Sequence, residues 1–209
     1  MSHKFRNHIK NNVYLTTFVS KSDKIIYMRP GRTAGTVITL NLPDVVEVSR
    51  PYFFGTGTDD WLENITDEEI KSDYFVFTFV RNTFERLVSA WTAFVRVGKV
   101  NSNFAKFIKD RGVGYLLYEN GTISNDHWFP QSSYVEYPDG DKFVDFIGKF
   151  ENLEEDWKIV SERIGIERQI RKHSYRTTQE YYRSQYTDEL VEIISDLYKR
   201  DLEVLDYEF

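Results

Sequence analysis

The chain has 209 residues, 41% hydrophobic and 29% charged, with a formal net charge of −6 and no cysteine. One globular domain is the expectation at this length, and disulfide staples, thiolate zinc sites and cysteine nucleophiles are excluded. The acidic balance argues against a broad nucleic-acid surface, yet a local positive pocket for a small anion is compatible with it.

No apolar run reaches the roughly 18 residues a membrane span needs, so a membrane protein is not expected. Met1 to Val13 carry Lys4, Arg6 and Lys10 with no apolar block behind them. They do not read as a secretory signal, and a cytoplasmic protein is the expectation. Residues 1–23 read as an N-terminal extension. Lys24 to Met28 is a short strand, followed by a glycine turn and a helix over Thr36 to Leu42 that stops before Pro43. Tyr74 to Val80 is almost wholly aromatic or β-branched, the pattern of a central strand buried on both faces. Asn82 and Glu85 then form a capping-box pattern, and Phe84, Leu87, Val88, Trp91 and Val95 fall on one helical stripe ending at Gly98.

A short helix is expected over Ser102 to Asp110, closed by Gly112, and a loop over Glu119 to Ser133. Phe143 to Phe150 reads as a strand. Asn152 and Glu155 repeat the cap pattern before a helix on Leu153, Trp157, Val160 and Ile164 that ends at Gly165. Glu167 to Tyr186 shows no clean period, and Thr187 caps a last helix that buries Leu190, Ile193, Ile194, Leu197 and Val204. Three successive strand–helix units imply an α/β fold with a mainly parallel central sheet flanked by helices. Such folds bind ligands at the C-terminal ends of their strands.

Three constellations carry chemistry, the first two at strand ends where that rule places ligands and the third in a loop. Pro30-Gly-Arg-Thr-Ala-Gly-Thr36 joins a strand to a helix, and a glycine turn of this kind offers converging backbone N–H groups to a phosphate or sulfate, with Arg32 adding charge. On the residues alone it is either an anion cradle or an ordinary turn. It is not a Walker A loop, because Gly31 and Gly35 are too close and no Lys-Ser/Thr follows. Arg81, Glu85 and Ser89 lie at i, i+4 and i+8 of the next strand–helix junction. An Arg fork and a hydroxyl suit a terminal phosphate; the alternative is a surface Arg paired with Glu85 and a Ser at a packing contact. Arg86 reads as a salt-bridged surface residue. His127, within Asp126-His-Trp-Phe-Pro-Gln131, is a candidate general base, with a structural histidine as the alternative. His3, His8 and His173 have no metal-ligand spacing with it, so no metal site is expected.

The series resembles the PAPS-dependent sulfotransferases, especially the carbohydrate O-sulfotransferases of the heparan 2-O and chondroitin type. Thr33-Ala-Gly-Thr36 is similar to that family's 5′-phosphosulfate loop. Phe77 to Ala90 is similar to the segment whose Arg and Ser hold the 3′-phosphate. His127-Trp-Phe-Pro-Gln131, Ile147 to Asp156 and Tyr198 to Tyr207 also match family motifs, so the likeness runs from about residue 24 to 209. It implies a P-loop-like three-layer fold that moves a sulfuryl group from 3′-phosphoadenosine 5′-phosphosulfate (PAPS) to an acceptor hydroxyl on a carbohydrate or small metabolite. It implies nucleotide contacts from Arg32, Thr33, Ala34, Gly35, Thr36, Arg81 and Ser89, with Arg176 as a further one.

The departures bear on the base. Gly31-Arg32 stands where the family has Pro-Lys, and Arg stabilises charge without giving up a proton. Thr83 replaces a Pro. No His lies between the two phosphate motifs, where the heparan 2-O type places its base; the carboxylates there are Glu47, Asp59, Asp60 and Glu63. Glu47 is preferred among them because glucosaminyl 3-O and tyrosyl sulfotransferases use a Glu in that interval. The base is therefore His127 or Glu47. The rival readings are a P-loop nucleotide kinase and a catalytically inactive module that binds the product nucleotide, PAP.

Overall fold

The computed structural model describes residues 4–11, 15–48, 65–109, 127–170 and 178–209. At its centre β4 (Phe75–Val80) lies between β2 (Ile25–Met28) and β5 (Phe146–Lys149), parallel to both. Five of its six residues are buried, as the unbroken aromatic and β-branched run requires. On the far side of β2 run β1 (Thr17–Ser20) and the two-residue β3 (Val46–Glu47), giving the order β3-β1-β2-β4-β5. Both of these outer pairings are antiparallel. The expected parallel core is thus β2-β4-β5, and the sheet as a whole is mixed. β1 falls within the span read as an N-terminal extension.

Helices cover both faces. On one, α1 (Lys4–Asn11) and α3 (Asp67–Asp73) bury Phe5, Ile9 and Ile70 against Val19, Ile26, Met28 and Val76. On the other, α2 (Gly35–Asn41) and α6 (Leu153–Arg163) bury Ile38, Leu153, Trp157 and Val160 against Tyr27, Phe77 and Phe79. A third cluster joins α4 (Thr83–Arg96) to α5 (104–109), α7 (Gln179–Ser184) and α8 (Asp188–Leu197) through Phe84, Leu87, Phe104, Tyr182 and Leu190.

Local sequence explains most boundaries. Thr66 and Glu69 form a complete capping box at α3. The Asn82 side chain accepts from the N–H groups of Phe84 and Glu85 at the start of α4. Asn152, expected to cap α6, makes no such bond; a 3-10 turn, Phe150–Asn152, leads into that helix instead. The single last helix expected after Thr187 is two, α8 and α9 (Lys199–Leu205), divided at Tyr198. There the Tyr198 hydroxyl donates to the carbonyl of Trp128 at 2.6 Å, so a tertiary bond fixes the break.

Candidate active site

The chain leaves β2 at Met28 and turns through residues 29–34 into α2. Arg32 and Ala34 both adopt left-handed backbone, φ 70° and 67°. Non-glycine residues do so at a cost of about 1–2 kcal/mol each, so the turn is strained where its sequence carries the most polar chemistry. The buried Thr33 hydroxyl helps hold it, donating to the Pro30 carbonyl at 2.8 Å. Gly35 is needed for a different reason: a Cβ there would lie 2.3 Å from Arg29 Nε. Arg29 therefore lies across Gly35, with Nη2 3.4 Å from Thr36 Oγ1 and its guanidinium 5.5 Å from the centre of the Phe18 ring. No carboxylate pairs with Arg29 among the described residues. No motif in the sequence singles out Arg29; the signal for it is its place as the first residue beyond the C-terminal end of β2, where such folds place their ligand groups.

β4 ends next to β2, and Arg81 is its first residue beyond the strand. Arg81 is 4% exposed, not a surface residue. One guanidinium face lies 4.1 Å from the Phe150 ring centre, Nη1 is 3.4 Å from the Arg32 carbonyl, and Nη2 donates to Glu85 Oε1 at 2.7 Å. Its Nε is buried with no hydrogen-bond partner among the described residues. Ser89, two turns along α4, receives the Arg32 guanidinium through Nη2 at 3.1 Å and Nε at 3.3 Å. The turn after β2 and the start of α4 thus converge on one cluster of Arg32, Arg81 and Ser89.

Elements far apart in sequence fix that cluster. The fully buried Gln131 side chain accepts from the N–H of Arg81 at 2.9 Å and donates to its carbonyl at 2.8 Å. Asp201, on α9, accepts from the N–H groups of Gln131 and Ser132, both at 2.8 Å. Burial pushes the Asp201 carboxyl above its usual range, opposed by Arg86 and those two N–H groups. Glu151 accepts from the N–H of Asn82 and the hydroxyl of Tyr207, both at 2.8 Å. Arg86 is not the surface ion pair its sequence suggests: it is fully buried and donates to the carbonyls of His127 (3.1 Å) and Phe129 (2.8 Å).

The remaining candidates lie in different places. The ring of His127 packs edge-on to Phe94, 5.7 Å between centres. Five residues on an α-helix turn through about 500°, so Phe94 and Ser89 are about 140° apart around α4. Glu47 pairs with Phe18 across β1–β3, and Phe18 with Tyr27 across β1–β2. Directly opposed residues share a face, so Glu47 stands on the α2 side of the sheet, in the row to which Arg29 is also bound. Arg176, Asp59, Asp60 and Glu63 lie outside the described residues.

The fold is thus an α/β sheet, helices on both faces, with a strained turn after one parallel strand and a buried Arg81 and Ser89 after its neighbour. The chain belongs to the sulfotransferase family, whose profile matches residues 15–208. Among relatives, carbohydrate sulfotransferase 14 of Danio rerio is 30% identical over 53% of this chain and 36% of its own length. An uncharacterized protein of Archaeoglobus fulgidus is 32% identical over 52% of this chain and 82% of its own. The chain thus spans little more than a third of the first of these relatives. No solved structure matches the chain with significance.

Proposed function

We propose that the protein transfers a sulfuryl group from PAPS to a hydroxyl of a carbohydrate or small metabolite. The observation that carries this is the convergence of the Arg32 fork, the buried Arg81 guanidinium and the Ser89 hydroxyl at adjacent parallel strand ends. PAPS supplies the activated sulfuryl group. Its 3′-phosphate calls for a bidentate cation and a hydroxyl, and the buried Nε of Arg81, without a hydrogen-bond partner among the described residues, fits that demand. Residues 32–36 would hold the 5′-phosphosulfate, where Arg32 offsets charge on the leaving oxygen without donating a proton. Arg29, lying across Gly35, adds a further cation to the same turn. The acceptor proton goes to Glu47 or His127, and the shared row of Glu47, Phe18 and Arg29 favours the carboxylate.

The test is product analysis with sulfur-labelled PAPS, and separately with ATP, against mono- and oligosaccharide and small-alcohol acceptors. Labelled sulfate on an acceptor, with release of PAP, is expected. Phosphate transfer from ATP would establish the kinase reading, and tight PAP binding without turnover on any acceptor the inactive module.

A further inference from the structure

Among the described residues Arg81 pairs with one carboxylate, Glu85, whose position is unusual for a residue at the third place of a helix. A Glu there ordinarily reaches back to the N–H of the capping residue. Here that N–H, of Asn82, is taken by Glu151 from the β5 side, while Glu85 turns to Arg81. Glu85 is 7% exposed, so its charge is little screened by water. The Arg81 guanidinium has Phe150 on one face, the Arg32 carbonyl at Nη1 and Glu85 at Nη2. An anion recruited by Arg81 must therefore settle beside the Glu85 carboxylate.

We infer that Glu85 sets the nucleotide affinity of the site: it holds Arg81 in place and, by its charge, weakens the grip on the 3′-phosphate so that the spent nucleotide leaves. This rests on the assignment of Arg81 to the 3′-phosphate. Donor and product both carry that phosphate, so the carboxylate weakens both. Uniform binding does nothing for the chemical step; what the weakening changes is release of the product, a step that limits turnover in many enzymes. A neutral Gln at 85 keeps an oxygen to accept from Arg81 and removes only the charge, which separates the two roles.

The experiment measures dissociation constants of PAP and of adenosine 5′-phosphate, which lacks the 3′-phosphate, for the wild type, Glu85→Gln and Arg81→Ala. Glu85→Gln should tighten PAP by about tenfold, as expected for loss of a like charge in a weakly screened site, and leave adenosine 5′-phosphate unchanged. Unchanged or weaker PAP binding, or equal tightening of both nucleotides, overturns the inference. Arg81→Ala should abolish the preference for PAP; if the preference survives in that variant, the 3′-phosphate assignment itself is wrong. Should Glu85→Gln be destabilised, the rise in melting temperature given by saturating PAP over that given by adenosine 5′-phosphate reads the same difference.

Discussion

Gln131 grips Arg81 by its main chain, not its side chain: the amide oxygen accepts from the Arg81 N–H at 2.9 Å and the amide nitrogen donates to the Arg81 carbonyl at 2.8 Å. β4 has ended and α4 has not begun at this residue, so neither ladder supplies those bonds. Gln131→Ala would leave a buried donor and a buried acceptor unpaired, at about 1–3 kcal/mol each. Denaturant unfolding should show a loss of about 2–6 kcal/mol with an unchanged m-value. A loss below 1 kcal/mol would mean that water or a neighbour replaces the amide.

Arg81→Ala should weaken PAP by about tenfold or more, since a hydrogen bond to a charged group contributes about 1.5–3 kcal/mol. Adenosine 5′-phosphosulfate, which has no 3′-phosphate, should bind nearly as before. Equal losses for the two nucleotides in calorimetry would move Arg81 away from that phosphate.

Arg32→Ala should reduce transfer more than binding, because charge at the leaving oxygen grows towards the transition state. Rapid-mix kinetics at saturating PAPS are the check, and a normal kcat would assign Arg32 to nucleotide binding alone. The Arg32 fork on Ser89 means that some loss of affinity should accompany the loss of rate.

The parts of this arrangement that sequence revealed are those encoded locally. The aromatic run over residues 75–80 marks β4, Asn82 marks the start of α4, and the glycines at 31 and 35 mark the turn that joins β2 to α2. What sequence hid depends on contacts across the chain. Glu85 looks like half of a capping box, and only the arrival of Glu151 shows that it is not. Arg86 looks like a surface charge until the carbonyls of His127 and Phe129 close over it. β1 and β3 have four residues and two, too short for a period to declare itself, and β3 exists through its register with Phe18 and Val19. α3, by contrast, is signalled locally by its Thr66–Glu69 capping box.

The helix α1 makes stability pH-dependent through His8. Its Nε2 lies 2.8 Å from the Ser133 carbonyl, its ring packs on Tyr137 and Phe143, and burial holds its pKa below the ordinary 6.5. As pH falls below about 6.5 the unfolded chain takes up a proton that the folded chain refuses, so stability declines down to the folded pKa. Asp201, with its raised pKa, acts oppositely and from the bottom up: its contribution is present below about 3.8 and lost as pH rises through the folded value. Urea midpoints at pH 7.5 and 5.5 for the wild type and His8→Gln isolate the histidine. The variant should lose less stability on acidification, and an identical loss would assign the acid sensitivity elsewhere.

The general base divides Glu47 from His127, and their surroundings make the outcomes distinct. Glu47 stands in the row of Phe18 and Tyr27, and Arg29 lies over Phe18 from the turn after β2. His127 packs on Phe94 while Arg86 holds its carbonyl, which ties the residue to the scaffold of α4. Glu47→Gln should therefore cost about 10²–10⁴ in transfer rate, the usual worth of a positioned base, with PAP affinity intact. His127→Ala should lower melting temperature and affect rate much less. If His127→Ala instead is inactive while folded and PAP-competent, and Glu47→Gln is active, the imidazole takes the acceptor proton. If both variants turn over normally, the proton leaves by another group, and Asp59, Asp60 and Glu63 are the next to replace, each by its amide, with the same pairing of a rate and a PAP affinity.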